Sequence, residues 1–220
     1  MIMPTQFSRR RKPLYTLLAF ALSALSSSAS YAASTIRDVR DTVQAIPVKL
    51  DAEAQVPIKK GEVLQLLKLY HDNANAWSWN EYLAFEPCPR NATLRCAVPF
   101  QDTQGKEYTL KDALHNEEDA LTTIGFYRVE SSQGRWNLFM IRMERPLGDS
   151  TYAKTETTAH ISLFKLAPQA SDVAMPENNY FEEIATLPMG GYCNSTVALS
   201  TFLNQPLPPG VAPDGCMQGQ

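Results

Sequence analysis

The chain is poor in the residues and patterns that announce common chemistries. It has three histidines in 220 residues, and no G-x-S-x-G elbow, H-E-x-x-H helix, glycine-rich phosphate loop, dinucleotide fingerprint or calcium loop. These gaps disfavour serine hydrolases of the α/β type, zinc proteases, nucleotide enzymes and calcium sensors. An excess of positive charge is missing too: 20 Lys and Arg stand against 23 Asp and Glu, a formal net charge of −3. Such a balance argues against nucleic acid, whose phosphates are held by clustered Lys and Arg, and against an anionic membrane surface. Long apolar runs are scarce. Leu14–Leu25, near the N-terminus, falls short of the roughly 20 residues that a membrane-spanning helix needs.

That run belongs to an export signal. Arg9-Arg10-Arg11-Lys12 forms a basic n-region, Leu14–Leu25 the apolar h-region, and Ser26–Ala32 the small residues before a cleavage site. Cleavage is expected between Ala32 and Ala33 by the general secretory route, delivering the protein to the periplasm or outside a bacterial cell. It removes four positive charges and no negative ones, so the formal net charge moves from −3 to −7 on the 188 residues left. That length normally makes one domain with a real core. The expected layout is a signal peptide over 1–32, an arm or connector over 33–58, a single domain over 59–205 and a proline-rich tail over 206–220. No membrane insertion is expected once the signal is gone.

Four cysteines, Cys88, Cys96, Cys193 and Cys216, remain after cleavage, and an even count in an exported protein reads as disulfides. The preferred pairing is Cys88–Cys96 and Cys193–Cys216, because each loop is short and carries prolines or polar turn residues. The second bridge would staple the tail. Neither pair has the C-x-x-C spacing of a redox centre.

The strongest pattern lies at 122–166. Thr122–Glu130 and Trp136–Glu144 are dense in aromatic and branched residues, separated by a polar loop holding Gly134. Thr157–Leu166 alternates, with Ala159, Ile161 and Leu163 on one face and His160 and Ser162 on the other. This is an antiparallel meander whose middle strand is apolar on both faces. Helices are predicted around it: Ser34–Ala45, Leu110–Leu121, Ser195–Asn204 and, most strongly, Glu62–Asp72, where Val63, Leu66, Leu67 and Tyr70 fall at i, i+3, i+4 and i+7. Trp77–Phe85 fits helix or strand. Ile46–Ile58 reads as a connector or a short edge strand. The fold class expected is therefore α+β, an antiparallel sheet centred on the meander with helices on one face and two disulfides.

The candidate site residues are scattered. His160 and Ser162 share a strand face and could serve as general base and nucleophile of a hydrolase. His115, Glu118 and Asp119 sit one helical turn apart and form a weak metal candidate; the same residues suit a solvated acidic face. Trp77, Trp79, Tyr82 and Trp136 could form a stacking platform for sugar rings or a hot spot for a protein partner. Asn91-Ala92-Thr93 and Asn194-Ser195-Thr196 match the N-glycosylation pattern. No cofactor is called for. With no assembled catalytic signature, the leading expectation is an exported protein that acts by binding another protein, as an inhibitor, an immunity-type factor or an envelope assembly factor. The alternatives are an envelope hydrolase using His160 and Ser162, and a glycan-binding module using Trp77, Trp79 and Trp136.

Overall fold

The run Leu138–Ile141 is buried from both sides, and the reason is that two different layers cover it. The computed structural model describes residues 46–59, 61–74, 78–113, 120–130, 136–146, 156–168 and 179–211. In chain order the strands are β1 (Ile46–Pro47), β2 (Glu53–Lys59), β3 (Glu62–His71), β4 (Trp79–Cys88), β5 (Asn91–Ala97) and β6 (Phe100–Gln101). They continue with β7 (Lys106–Glu107), β8 (Leu110–Lys111), β9 (Thr122–Glu130), β10 (Trp136–Glu144), β11 (Thr157–Pro168) and β12 (Asn179–Tyr192), before helix α1 (Ser195–Leu203). They form two sheets. The first runs β1-β9-β10-β11-β12-β6-β7 and the second β2-β3-β4-β5, with β8 also paired to β4.

One face of the first sheet packs on the second sheet. Ile124, Phe126, Leu138, Met140, Phe164 and Phe181 meet Val56, Leu64, Leu66, Tyr82 and Ala84 there. The opposite face carries Tyr127, Phe139, Ile141, Met143, Ile161 and Leu163 against Ala198, Leu199 and Phe202 of α1. The layers are thus sheet, sheet, helix. In β10, Met140 and Ile141 are both almost wholly buried although they point in opposite directions. The meander expected from the sequence is present, with β10 between β9 and β11. Gly125 in β9 is required by its neighbour: the Tyr127 ring lies where a Cβ would go, its Cε2 only 2.7 Å away.

The expectation of an α+β fold with helices on a sheet face is overturned. The described residues are mostly β and hold a single short helix, and the second face of the central sheet is closed by another sheet. Glu62–His71 is a strand. Leu64 and Leu66 lie two residues apart and are both fully buried, a pattern that one face of a strand allows and one face of a helix does not. Its helical propensity gives way to antiparallel pairing with both of its neighbours along the chain, β2 and β4. Trp79–Phe85, undecided from sequence, falls in β4. Leu110–Lys111 is a short strand on β4, while the rest of the helix predicted there, at 114–119, lies outside the described residues, as does 34–45.

The helix expected at Ser195–Asn204 is α1. Asn194 caps it by accepting from the N–H groups of Thr196 and Val197, and Asn204 ends it in the left-handed region at φ 51°. Asn194 is 2% exposed, so the glycosylation pattern there is consumed by the cap. Of the two disulfides expected, the structure defines one, Cys88–Cys96, across the β4–β5 turn. Cys193 carries no free thiol, and its expected partner Cys216 lies outside the described residues. No helix among the described residues is long and apolar enough to cross a membrane.

Candidate functional site

Among the described residues the second sheet is covered on one side only. Its inner face builds the core through Leu64, Leu66, Tyr82 and Ala84, and period-two alternation sends Val63, Leu67, Leu69, Leu83 and Phe85 outward. Cross-strand pairs assemble these into a patch: Leu67 lies opposite Leu83, and Phe85 opposite Ala97. Val63 and Leu69 are exposed, Leu69 at 45%, while Leu67, Leu83 and Phe85 are half-buried by their neighbours in the sheet. Among the described residues no element packs on this face, because α1 lies against β9, β10, β11 and β12 of the other sheet. An antiparallel sheet open to water on one side normally shows polar residues there. A lane of leucines is the exception to explain.

One corner of the face is polar and aromatic. His71 and Trp79 form a directly opposed pair, and their rings stack at 4.9 Å with an interplanar angle of 8°. His71 Nε2 lies 3.0 Å from Glu81 Oε2. From the other neighbour of β4, the Lys111 ammonium sits over the Trp79 ring at 5.5 Å, a cation–π contact. The Trp79 indole N–H is buried and finds no acceptor among the described residues. On the opposite flank Gln65 donates to Glu53 at 3.0 Å. The face thus has an apolar centre and a charged rim.

Behind the face, Asp112 fixes β4. The backbone N–H of Asn80 donates to its Oδ1 at 2.7 Å, and Asn80 Nδ2 and the Tyr82 hydroxyl both donate to its Oδ2 at 2.8 Å. Burial, then the charge and hydrogen bond of Asp112, push the Tyr82 hydroxyl far above the usual tyrosine range. Tyr82, a binding candidate by sequence, is 6% exposed and faces inward as part of this clasp.

The remaining candidates are dispersed. Trp77 lies outside the described residues, as do His115, Glu118 and Asp119. Trp136 opens β10 in the other sheet, so Trp79 and Trp136 belong to different layers. Trp79 has one ring face against His71, and the Lys111 ammonium lies over the ring. His160 and Ser162 do share the face of β11 that the alternation required. There Glu144 lies opposite His160, and Arg142 opposite Ser162. His160 is exposed and makes no hydrogen bond or ion pair with the described residues. Ser162 is 3% exposed, and its hydroxyl is 2.9 Å from that of Thr186, which in turn donates to Glu183. No hydrogen bond joins Ser162 to His160, and the hydroxyl is closed to a substrate. Arg142, between Asp102 and Glu144 and over the Phe164 ring, ties the β6–β7 turn to the sheet.

The residues that sequence reasoning missed are Leu67, Leu69, His71, Glu81 and Lys111. The alternation Val63, Gln65, Leu67, Leu69, His71 was the available signal, masked by an equally good helical spacing.

No protein-family model and no curated protein matches the chain. Among solved structures, the crystal structure of CarG is similar over 70% of this chain and 94% of that one, at 13% identity and a TM-score of 0.53. At that identity the likeness is one of fold alone.

Proposed function

We propose that this is an exported protein that acts by binding a partner protein, and that the open face of the β2–β5 sheet is where the partner docks. The observation that carries this reading is the apolar lane Leu67, Leu69, Leu83 and Phe85 with its charged rim at His71, Glu81 and Lys111. An apolar centre ringed by polar groups is the anatomy of protein interfaces. Contiguous apolar surface left uncovered on a folded domain marks interaction sites. Export is supported by the basic-then-apolar N-terminus and by the Cys88–Cys96 bridge, since such bonds persist in oxidising compartments. Nothing in the surroundings of Ser162 favours a hydrolase, because its hydroxyl serves Thr186 and its neighbour His160 is turned to solvent.

The test compares the mature protein with a Val63→Arg, Leu69→Arg double variant, both positions being exposed and outside the core. Each protein is immobilised and offered the envelope fraction of the source cell. A saturable partner held by the unsubstituted protein and released by the variant, with unchanged unfolding midpoints, is the expected result. Equal retention by both proteins would place the interface elsewhere.

A further inference from the structure

Charge on the open face of the β2–β5 sheet is sorted by edge. Glu53, opposite Leu67, is the carboxylate of the β2 edge. Arg95, opposite Pro87, and Lys111, opposite Glu81, are the cations of the other edge, on β5 and β8. β8 lies on the β5 side because Glu81 already has Leu69 of β3 on its first side. Glu53, Arg95 and Lys111 are exposed, and none forms an ion pair with the described residues; Glu53 holds only the Gln65 amide. Glu81 is engaged by His71 within the face. Among the described side chains the face thus sets two carboxylates, Glu53 and Glu81, against two cations, Arg95 and Lys111. The chain as a whole is acidic, −3 in full and −7 once the expected signal is removed. Two copies of an acidic protein repel each other least where their surfaces are neutral.

Acid on one edge and base on the other is a self-complementary pattern. A two-fold axis parallel to the strands, running between β3 and β4, turns a second copy so that its β5 and β8 edge faces the β2 edge of the first. Glu53 of each copy then faces Lys111 of the other. Leu67 and Leu83, directly opposed on β3 and β4, meet their equivalents at the axis. Flat apolar sheet faces suit one another, and the two sheets of this domain already pack in that way. β3 and β4 have ten residues each, about 34 Å of strand, and the four strands lie about 4.8 Å apart. A face on the order of 600 Å² per copy reaches the low end of specific interfaces. We infer that a second copy of this chain docks on the open face, as a reversible two-fold dimer with Leu67 and Leu83 at its centre and Glu53–Lys111 pairs along its edges. This rests on the reading of the face as a docking surface and names the partner.

The experiment follows the mass of the mature protein by sedimentation equilibrium over a wide concentration range, at low ionic strength where surface charges are least screened. A reversible monomer–dimer equilibrium is expected. Val63→Arg combined with Leu69→Arg should leave only monomer at an unchanged unfolding midpoint. Glu53→Lys and Lys111→Glu, each alone, oppose like charges at both edges and should weaken association about tenfold. Mixed in equal amounts, the two variants should recover it, because each now faces the opposite charge of the other at both edges. A role confined to one copy would not be restored by mixing. A monomer at every concentration, a dimer that survives the double arginine variant, or charge variants that gain nothing on mixing would overturn the inference. Retention of an envelope partner separates the two failures. A monomer that retains one through this face loses the second copy and keeps the proposed function; a monomer that retains none loses both.

Discussion

Tyr127 and Tyr82 both contribute to how this protein responds to alkali. Both hydroxyls are held well above the ordinary tyrosine value of about 10, Tyr127 by burial and Tyr82 by burial and then by Asp112. A raised pKa on an acid means that the folded state keeps its proton where the unfolded state has lost it. The stabilisation is complete below about pH 10 and is lost as pH climbs above it, at up to about 1.4 kcal/mol per pH unit for each group. Unfolding midpoints measured from pH 8 upward should therefore fall beyond pH 10, and Tyr127→Phe should make that fall shallower. His160 is the opposite case. It is exposed, and its side chain makes no hydrogen bond or ion pair with the described residues, so His160→Ala should leave both stability and partner binding unchanged. Loss of function at an unchanged midpoint would move the site to β11. That His160 and Ser162 share a face was legible from alternation. That Ser162 is buried while His160 is not was hidden, because it depends on which strand lies above each of them.

Among the elements, β10 carries the most weight. Ile141 is 1% exposed, set between β9, β11 and the α1 layer. Ile141→Ala should cost about 2–5 kcal/mol by leaving a cavity there, whereas Thr103→Ala, at an exposed turn, should be nearly silent. Coincident urea midpoints for the two would remove β10 from the centre. β3 shows the limit of reading elements locally. Its ten residues satisfy a helical stripe and a strand alternation at once, and propensity favours the helix. What decides is the company of β2 and β4, whose pairing satisfies the β3 backbone on both edges. α1 needed no such help, because Asn194 and Asn204 mark both its ends in sequence.

For the molecule as a whole, the Cys88–Cys96 bridge closes a loop of eight residues' separation at the β4–β5 turn. In the chain-entropy account its loss should cost about 2–3 kcal/mol. Replacing both cysteines by serine should lower the urea midpoint accordingly; an unmoved midpoint would mean that the bridge constrains nothing the fold does not already hold. The three-layer arrangement also explains why the open face of the second sheet was not legible in the sequence. A leucine on a strand is core or surface according to whether another layer reaches it, and the second sheet is reached from one side only among the described residues.

By itself, the sequence determined the strands of the meander, the direction of each side chain along them, the capped helix and the short staple at Cys88–Cys96. These rest on periods of two and 3.6 residues, on caps and on turn chemistry, all written within a dozen neighbours. The tertiary structure alone decided that Glu62–His71 is a strand, that a second sheet closes the core, that Tyr82 turns inward to Asp112, and that no described element covers Leu67, Leu69, Leu83 and Phe85. The first follows from the pairing of β3 with its neighbours β2 and β4, the others from how whole layers and segments far apart in the chain meet. Local pattern offers such segments several partners, and the burial of apolar area across the whole molecule chooses among them.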